Sequence, residues 1–157
     1  TVDFIASLKS VDSQRIGVLG FSMGGFRAWQ LAALSDKVAA TAVISWFGTY
    51  NGLMTPGNNV LRGQSAFYML HPGMPAKMDI PDIASLAAPK PMLIFSGGQD
   101  KLFPADAVND AFAKAHRVWS SQNADDRLVT KTWQALGHVF YQQQQEEVFP
   151  WRDKWLK

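Results

Sequence analysis

The sequence predicts an α/β fold, a parallel sheet of about four strands with flanking helices, and three observations predict it. Strand-length apolar runs alternate with segments of helical spacing, the order that parallel βαβ units with right-handed crossovers produce. Residues 16–19, 42–46 (apart from Ser45) and 92–95 are apolar on successive positions, as strands are when helices cover both sheet faces. Two of the strands run into glycine-containing loops at their C-terminal ends, where parallel sheets place ligand sites.

The elements follow in order. Val2, Phe4, Ile5 and Leu8 already show helical spacing over about 2–9, and position 1 is not Met, so the chain is expected to begin inside a helix. A turn at 10–14 leads into a strand at 15–20, a helix at about 24–34 and a strand at about 38–46. Residues 48–82 are rich in Gly, Pro, Asn and Met and read as an irregular insertion with a short helix near 61–70. Helical spacing is weak over 83–88, and a strand follows at 91–96. Pro104 suits the first position of the next helix, with Asp106 in its first turn. Val108, Ala111, Phe112, Ala115, Val118 and Trp119 supply that helix with an amphipathic stripe. Residues 127–133 form a more polar, β-rich strand suited to a sheet edge. The last helix keeps Val148, Phe149, Trp151, Trp155 and Leu156 on one side, and Pro150 within that stripe predicts a kink or a restart.

Composition limits the function classes. The chain has 157 residues, of which 47% are apolar and 18% charged, which suits one globular domain over 1–157. No run approaches the roughly 20 apolar residues of a membrane-spanning helix, so the chain reads as soluble and not as a membrane protein. The net charge is +2 and the basic residues are scattered, without the clustered stripe that nucleic-acid binding requires. The absence of cysteine excludes disulfides, Cys-ligated zinc and a Cys nucleophile.

The chemistry is concentrated at three places. Gly20-Phe-Ser22-Met-Gly24 is a G-x-S-x-G pattern. With Gly at about 7% of residues such a pattern arises by chance in on the order of a few per cent of chains this long, so the motif alone decides nothing. Its context decides, because it follows a buried-strand pattern and precedes a helix, the setting of a nucleophile elbow. A sharp turn there lifts the Ser22 hydroxyl above the sheet. Side chains at 20 and 24 are expected to collide, and Gly25 lets the helix lie close. The helix N-terminus then aims the Met23 N–H at the site as a first oxyanion-hole donor. The competing readings are a serine cap on a Gly-rich turn, or a phosphate loop. The second fails, because neither G-x-G-x-x-G nor a following Gly-Lys-Ser/Thr is present.

A serine hydroxyl needs a histidine to take its proton and a carboxylate to orient that histidine. Asp100 ends a Gly97-Gly98 turn after the 91–96 strand, and His138 ends the loop after the 127–133 strand, in the order the elbow requires. The simpler readings are an Asx turn for Asp100 and a loop histidine for His138. His71 and His116 suit surface or packing roles. Asp79 and Asp82 look like turn or cap residues around Pro81, and Asp125 and Asp126 fall in a polar loop.

Residues 15–25, 88–104 and 136–140 resemble the α/β-hydrolase superfamily, and most of all its dienelactone-hydrolase and acetyl-xylan-esterase-like group. The resemblance implies Ser22 as nucleophile, Asp100 as triad acid, His138 as base and the Met23 amide in the oxyanion hole. It implies a small-molecule ester substrate, an acyl-enzyme and no metal or organic cofactor. Dienelactone hydrolases usually carry Cys at the nucleophile position, so Ser22 favours an esterase for short acyl or acetyl groups. The chain resembles only the C-terminal half of the superfamily fold. The first four strands are not represented, and no residue can be assigned as second oxyanion donor. The 16–20 strand would then be an edge, which a doubly buried strand should not be. A missing N-terminal segment, or a second copy in a homo-oligomer, is expected to cover it. Two other readings stay open, a prolyl-oligopeptidase-like serine peptidase and a non-catalytic truncated hydrolase module. Trp46, Phe47, Tyr50, Phe67 and Tyr68 could line a pocket, though core packing suits most of them better.

Overall fold

A computed structural model describes residues 1–55 and 71–157; the helix expected near 61–70, Phe67 and Tyr68 lie outside the described residues. Four strands, β1 (Ile16–Phe21), β2 (Val38–Ile44), β3 (Met92–Gly97) and β4 (Leu128–Trp133), form one sheet in the order β1-β2-β3-β4. Every neighbouring pair is parallel. The expected α/β architecture is therefore present, with the strand bounds moved by one or two residues. The helices are α1 (Val2–Ala6), α2 (Met23–Leu34), α3 (Tyr50–Met54), α4 (Ile80–Ala84), α5 (Ala105–Ser121) and α6 (Gln142–Leu156). No helix among the described residues is long and apolar enough to cross a membrane.

The two faces of the sheet are covered unequally. On one face Phe26 and Trp29 of α2, Ile80 of α4 and Trp119 of α5 join Val43, Ile94 and Leu128 in a large core. Trp46, Phe47 and Tyr50 are buried in it; Tyr50 also borders an open cavity beside Asp79 and Lys114. On the other face α6 supplies Val148 and Trp151 to a small cluster with Ala42, Ile44, Leu93 and Phe95. All of β3 and nearly all of β2 are buried, as their apolar runs require.

β1 departs from that pattern. Ile16 and Gly20 are buried, but Gly17, Leu19 and Phe21 are exposed, and Leu19 is 41% exposed. β1 is an edge strand, and α6 packs on it closely at Gly17, where a Cβ would press on the tip of Leu156 at 2.6 Å.

Three local expectations need correction. The first helix is shorter than 2–9: the Ser7 hydroxyl donates to the Phe4 carbonyl at its end, and Phe4, Ile5 and Leu8 stay exposed. The insertion expected over 48–82 is not irregular throughout, because α3 and the start of α4 fall inside it. Asp79 caps α4 in a capping box with Asp82 and also binds the Tyr50 N–H and the Lys114 ammonium. α6 runs through Pro150 without a restart. Val148, Trp151, Trp155 and Leu156 are buried or half-buried as expected, Gln144 is buried with them, and Phe149 is exposed.

Candidate active site

The site is built at the C-terminal ends of β1, β3 and β4. β1 ends at Phe21, and Ser22 turns the chain into α2 with φ 55° and ψ −120°. A non-glycine residue rarely takes this backbone conformation, and holding one there costs about 1–3 kcal/mol. Two contacts hold it: the Ser22 N–H donates to the Ile44 carbonyl of β2 at 2.8 Å, and the Ser22 carbonyl accepts the Phe26 N–H at 3.1 Å. Ser22 is thus both the last extension of the β1–β2 ladder and the N-cap of α2. The Met23 N–H, in the first turn of α2, has no intrahelical acceptor by position.

The glycines around Ser22 do different work. A Cβ at Gly20 would collide with the Gly24 carbonyl, so Gly20 is sterically required. A Cβ at Gly24 would meet nothing within 4 Å, so the expected collision there is absent. At Gly25 a Cβ would lie 2.9 Å from the Ile44 carbonyl oxygen and 3.2 Å from Trp46 Cβ. That glycine sets the close approach of α2 to the end of β2.

The loops after β3 and β4 are joined to each other. The Gly98 N–H donates to the Trp133 carbonyl and the Gln99 N–H to the Leu136 carbonyl, each at 2.9 Å. A Cβ at Gly97 would collide with the Gly137 carbonyl oxygen, and one at Gly98 would lie 2.9 Å from Gln134 Cα. The Gly-Gly pair therefore allows the loop that bears Asp100 and the loop that bears His138 to touch.

Those loops bring three predicted residues together. His138 Nε2 lies 2.8 Å from Ser22 Oγ, and His138 Nδ1 lies 2.7 Å from Asp100 Oδ2. The Asp100 side chain is 1% exposed and that of His138 23%. An ionised carboxylate only accepts, so Nδ1 carries the proton toward Asp100 and Nε2 is left to accept from the serine hydroxyl. The other carboxylate oxygen accepts the Leu102 N–H at 2.9 Å, so Asp100 also makes the Asx turn that was its simpler reading. Chemically, the arrangement can take a proton from Ser22 and hold the resulting imidazolium against a buried anion.

The remaining titratable candidates fall elsewhere. His71 stacks on Phe26 at 5.9 Å and bonds Gln30, and His116 bonds Thr130. Sequence reasoning missed two residues at the site: the rings of Phe21 and Phe103 both lie against the His138 imidazole. Their neighbourhood to Ser22 and Asp100 in the chain was the available signal.

Comparisons with known proteins speak to the family and the fold. Residues 1–153 match the profile of the dienelactone hydrolase family. YtaP of Bacillus subtilis (strain 168), named only provisionally as a hydrolase, is 31% identical over 157 residues, which cover 99% of this chain and 50% of that protein. A carbohydrate esterase family 15 glucuronoyl esterase from Caldicellulosiruptor kristjansonii superposes with a TM-score of 0.78 at 16% identity, over 96% of this chain and 45% of that one. The glucuronoyl esterase catalytic domain from Hypocrea jecorina gives 0.75 at 21% identity, over 93% and 45%. At these identities the two structures speak for the fold alone. The chain spans about half the length of the relatives it matches.

Proposed function

This chain belongs to the dienelactone hydrolase family, and from that membership we propose that it is a serine esterase cleaving short-chain acyl or acetyl esters through Ser22, His138 and Asp100. The observation that carries the reading is the unbroken hydrogen-bond sequence from hydroxyl through imidazole to buried carboxylate. Ser22 Oγ attacks the ester carbonyl as its proton passes to His138 Nε2, and the carbonyl electron pair moves to oxygen. Asp100 stabilises the imidazolium, which then protonates the departing alcohol. A water activated by His138 hydrolyses the acyl-enzyme and restores Ser22.

The Met23 N–H supplies one oxyanion donor, and no second donor is assigned among the described residues. One such donor is worth about 100–1,000-fold in rate. This reading therefore includes a second polypeptide segment, from a longer chain or another copy, that pairs with the open edge of β1 and completes the site. The unpaired edge and the exposed Leu19 motivate it.

The test is hydrolysis of p-nitrophenyl esters of increasing acyl length by the protein and its Ser22→Ala variant. Activity is expected to fall with acyl length, and the variant to lose about 10⁴-fold or more in kcat. A variant as active as the parent would overturn the assignment.

A further inference from the structure

We infer that Phe21 and Phe103 are positioning residues that stabilise the charge developing on His138, an inference that rests on the triad reading above. The Phe21 ring centroid lies 5.1 Å from that of the imidazole, tilted by 43°. The Phe103 centroid lies 6.1 Å away with the rings only 9° from parallel. Each ring comes from the loop of another triad member. Phe21 immediately precedes Ser22, and Phe103 follows Asp100 by one turn, its N–H donating to the Asp100 carbonyl at 3.4 Å.

Both rings are themselves held. Phe103 is 3% exposed and meets Trp46 edge-on at 5.3 Å. Phe21 stacks on Phe140 at 6.4 Å, and Phe140 lies two residues beyond His138. The imidazole is thus bonded at both nitrogens and flanked by two aromatic rings that the same loops fix in place.

This arrangement acts differently on the two protonation states. A neutral imidazole gains ordinary ring packing from its neighbours. Once the proton of Ser22 Oγ has moved to Nε2, the ring carries a positive charge, and the electron-rich aromatic rings attract it. That attraction grows only as the Oγ–carbonyl bond forms, so it favours the transition state over the ground state. A leucine in either place would fill space without supplying it. Phe21 falls within the roughly 6 Å range of such attraction and Phe103 at its limit, so the Phe21 effect is the larger.

The experiment replaces each phenylalanine in turn by its 4-fluoro, 3,5-difluoro and 3,4,5-trifluoro analogues, which keep nearly the same shape and withdraw density from the ring. Esterase kcat is expected to fall stepwise with fluorine number at position 21, by about 2–5-fold in all, with KM unchanged. A smaller slope is expected at 103. If kcat is indifferent to fluorination while Phe21→Leu remains impaired, the rings only pack, and the inference is overturned. Failure of the triad reading looks different: unfluorinated Ser22→Ala would keep its activity, and that result overturns both.

Discussion

At Ser22 the backbone is held at positive φ by β1 on one side and α2 on the other, and Gly20 lets the two meet. The two glycines of the motif should therefore respond in opposite ways to a methyl group. Gly20→Ala is expected to destabilise the fold by more than about 3 kcal/mol, because backbone must move to admit the Cβ. Gly24→Ala, at a helical position with open space, is expected to leave stability unchanged or raise it by up to about 1 kcal/mol. Urea melts of the two variants check this, and equal destabilisation would contradict it. The meeting of Ser22, Asp100 and His138 was legible in the sequence, because each follows a strand in the order that a nucleophile elbow requires. The steric role of Gly24 was misread, because the side of α2 on which its Cβ would point cannot be seen from spacing. Phe21 and Phe103 escaped notice because a ring beside a catalytic residue in sequence carries no sign of where it points.

Among the elements, α2 is capped by Ser22 and is anchored at its far end as well. Lys90, just before β3, does this by donating from Nζ to the Ala32 carbonyl at 2.6 Å and the Ser35 carbonyl at 2.9 Å. Burial pushes the Lys90 ammonium below the ordinary lysine value of 10.5, with nearby Asp36 opposing. Between that lowered value and 10.5 the unfolded chain binds more protons than the folded one, so stability rises with pH in this window. The free energy of unfolding of the parent, relative to Lys90→Met, is therefore expected to increase with pH as 10.5 is approached. Urea melts across that range give the slope, and a flat or falling difference would contradict it. The regular elements were legible wherever periodicity was strong, as in β2, β3 and the stripe of α5. One was misplaced where a local bond lies at its end, as at Ser7, and the restart that was one of two expectations at Pro150 of α6 is absent.

At the scale of the molecule, the sheet is well covered on one face and thinly on the other. A shallow groove lined by Val18, Leu19, Ala40, Ala42 and Trp151 runs beside α6, next to the unpaired outer edge of β1. An exposed, partly apolar edge strand is a template for pairing with another strand. If the 157-residue chain is isolated, light scattering is expected to show association that Leu19→Lys weakens; a clean, stable monomer would contradict the proposed pairing. The parallel pairing was legible from the alternation of strands and helices, the β4 edge from its polar composition, and the β1 edge only from the resemblance to half of the superfamily fold. The half-open face of β1 was not, because Ile16, Val18 and Leu19 read as doubly buried, whereas Leu19 is exposed beside α6. The central claim is that Ser22 is activated by His138, and covalent labelling reads it most directly. A fluorophosphonate probe is expected to add its mass to the Ser22 peptide of the parent and to leave His138→Ala essentially unlabelled. Equal labelling of both proteins, or ester turnover with Ser22 unlabelled, would contradict it.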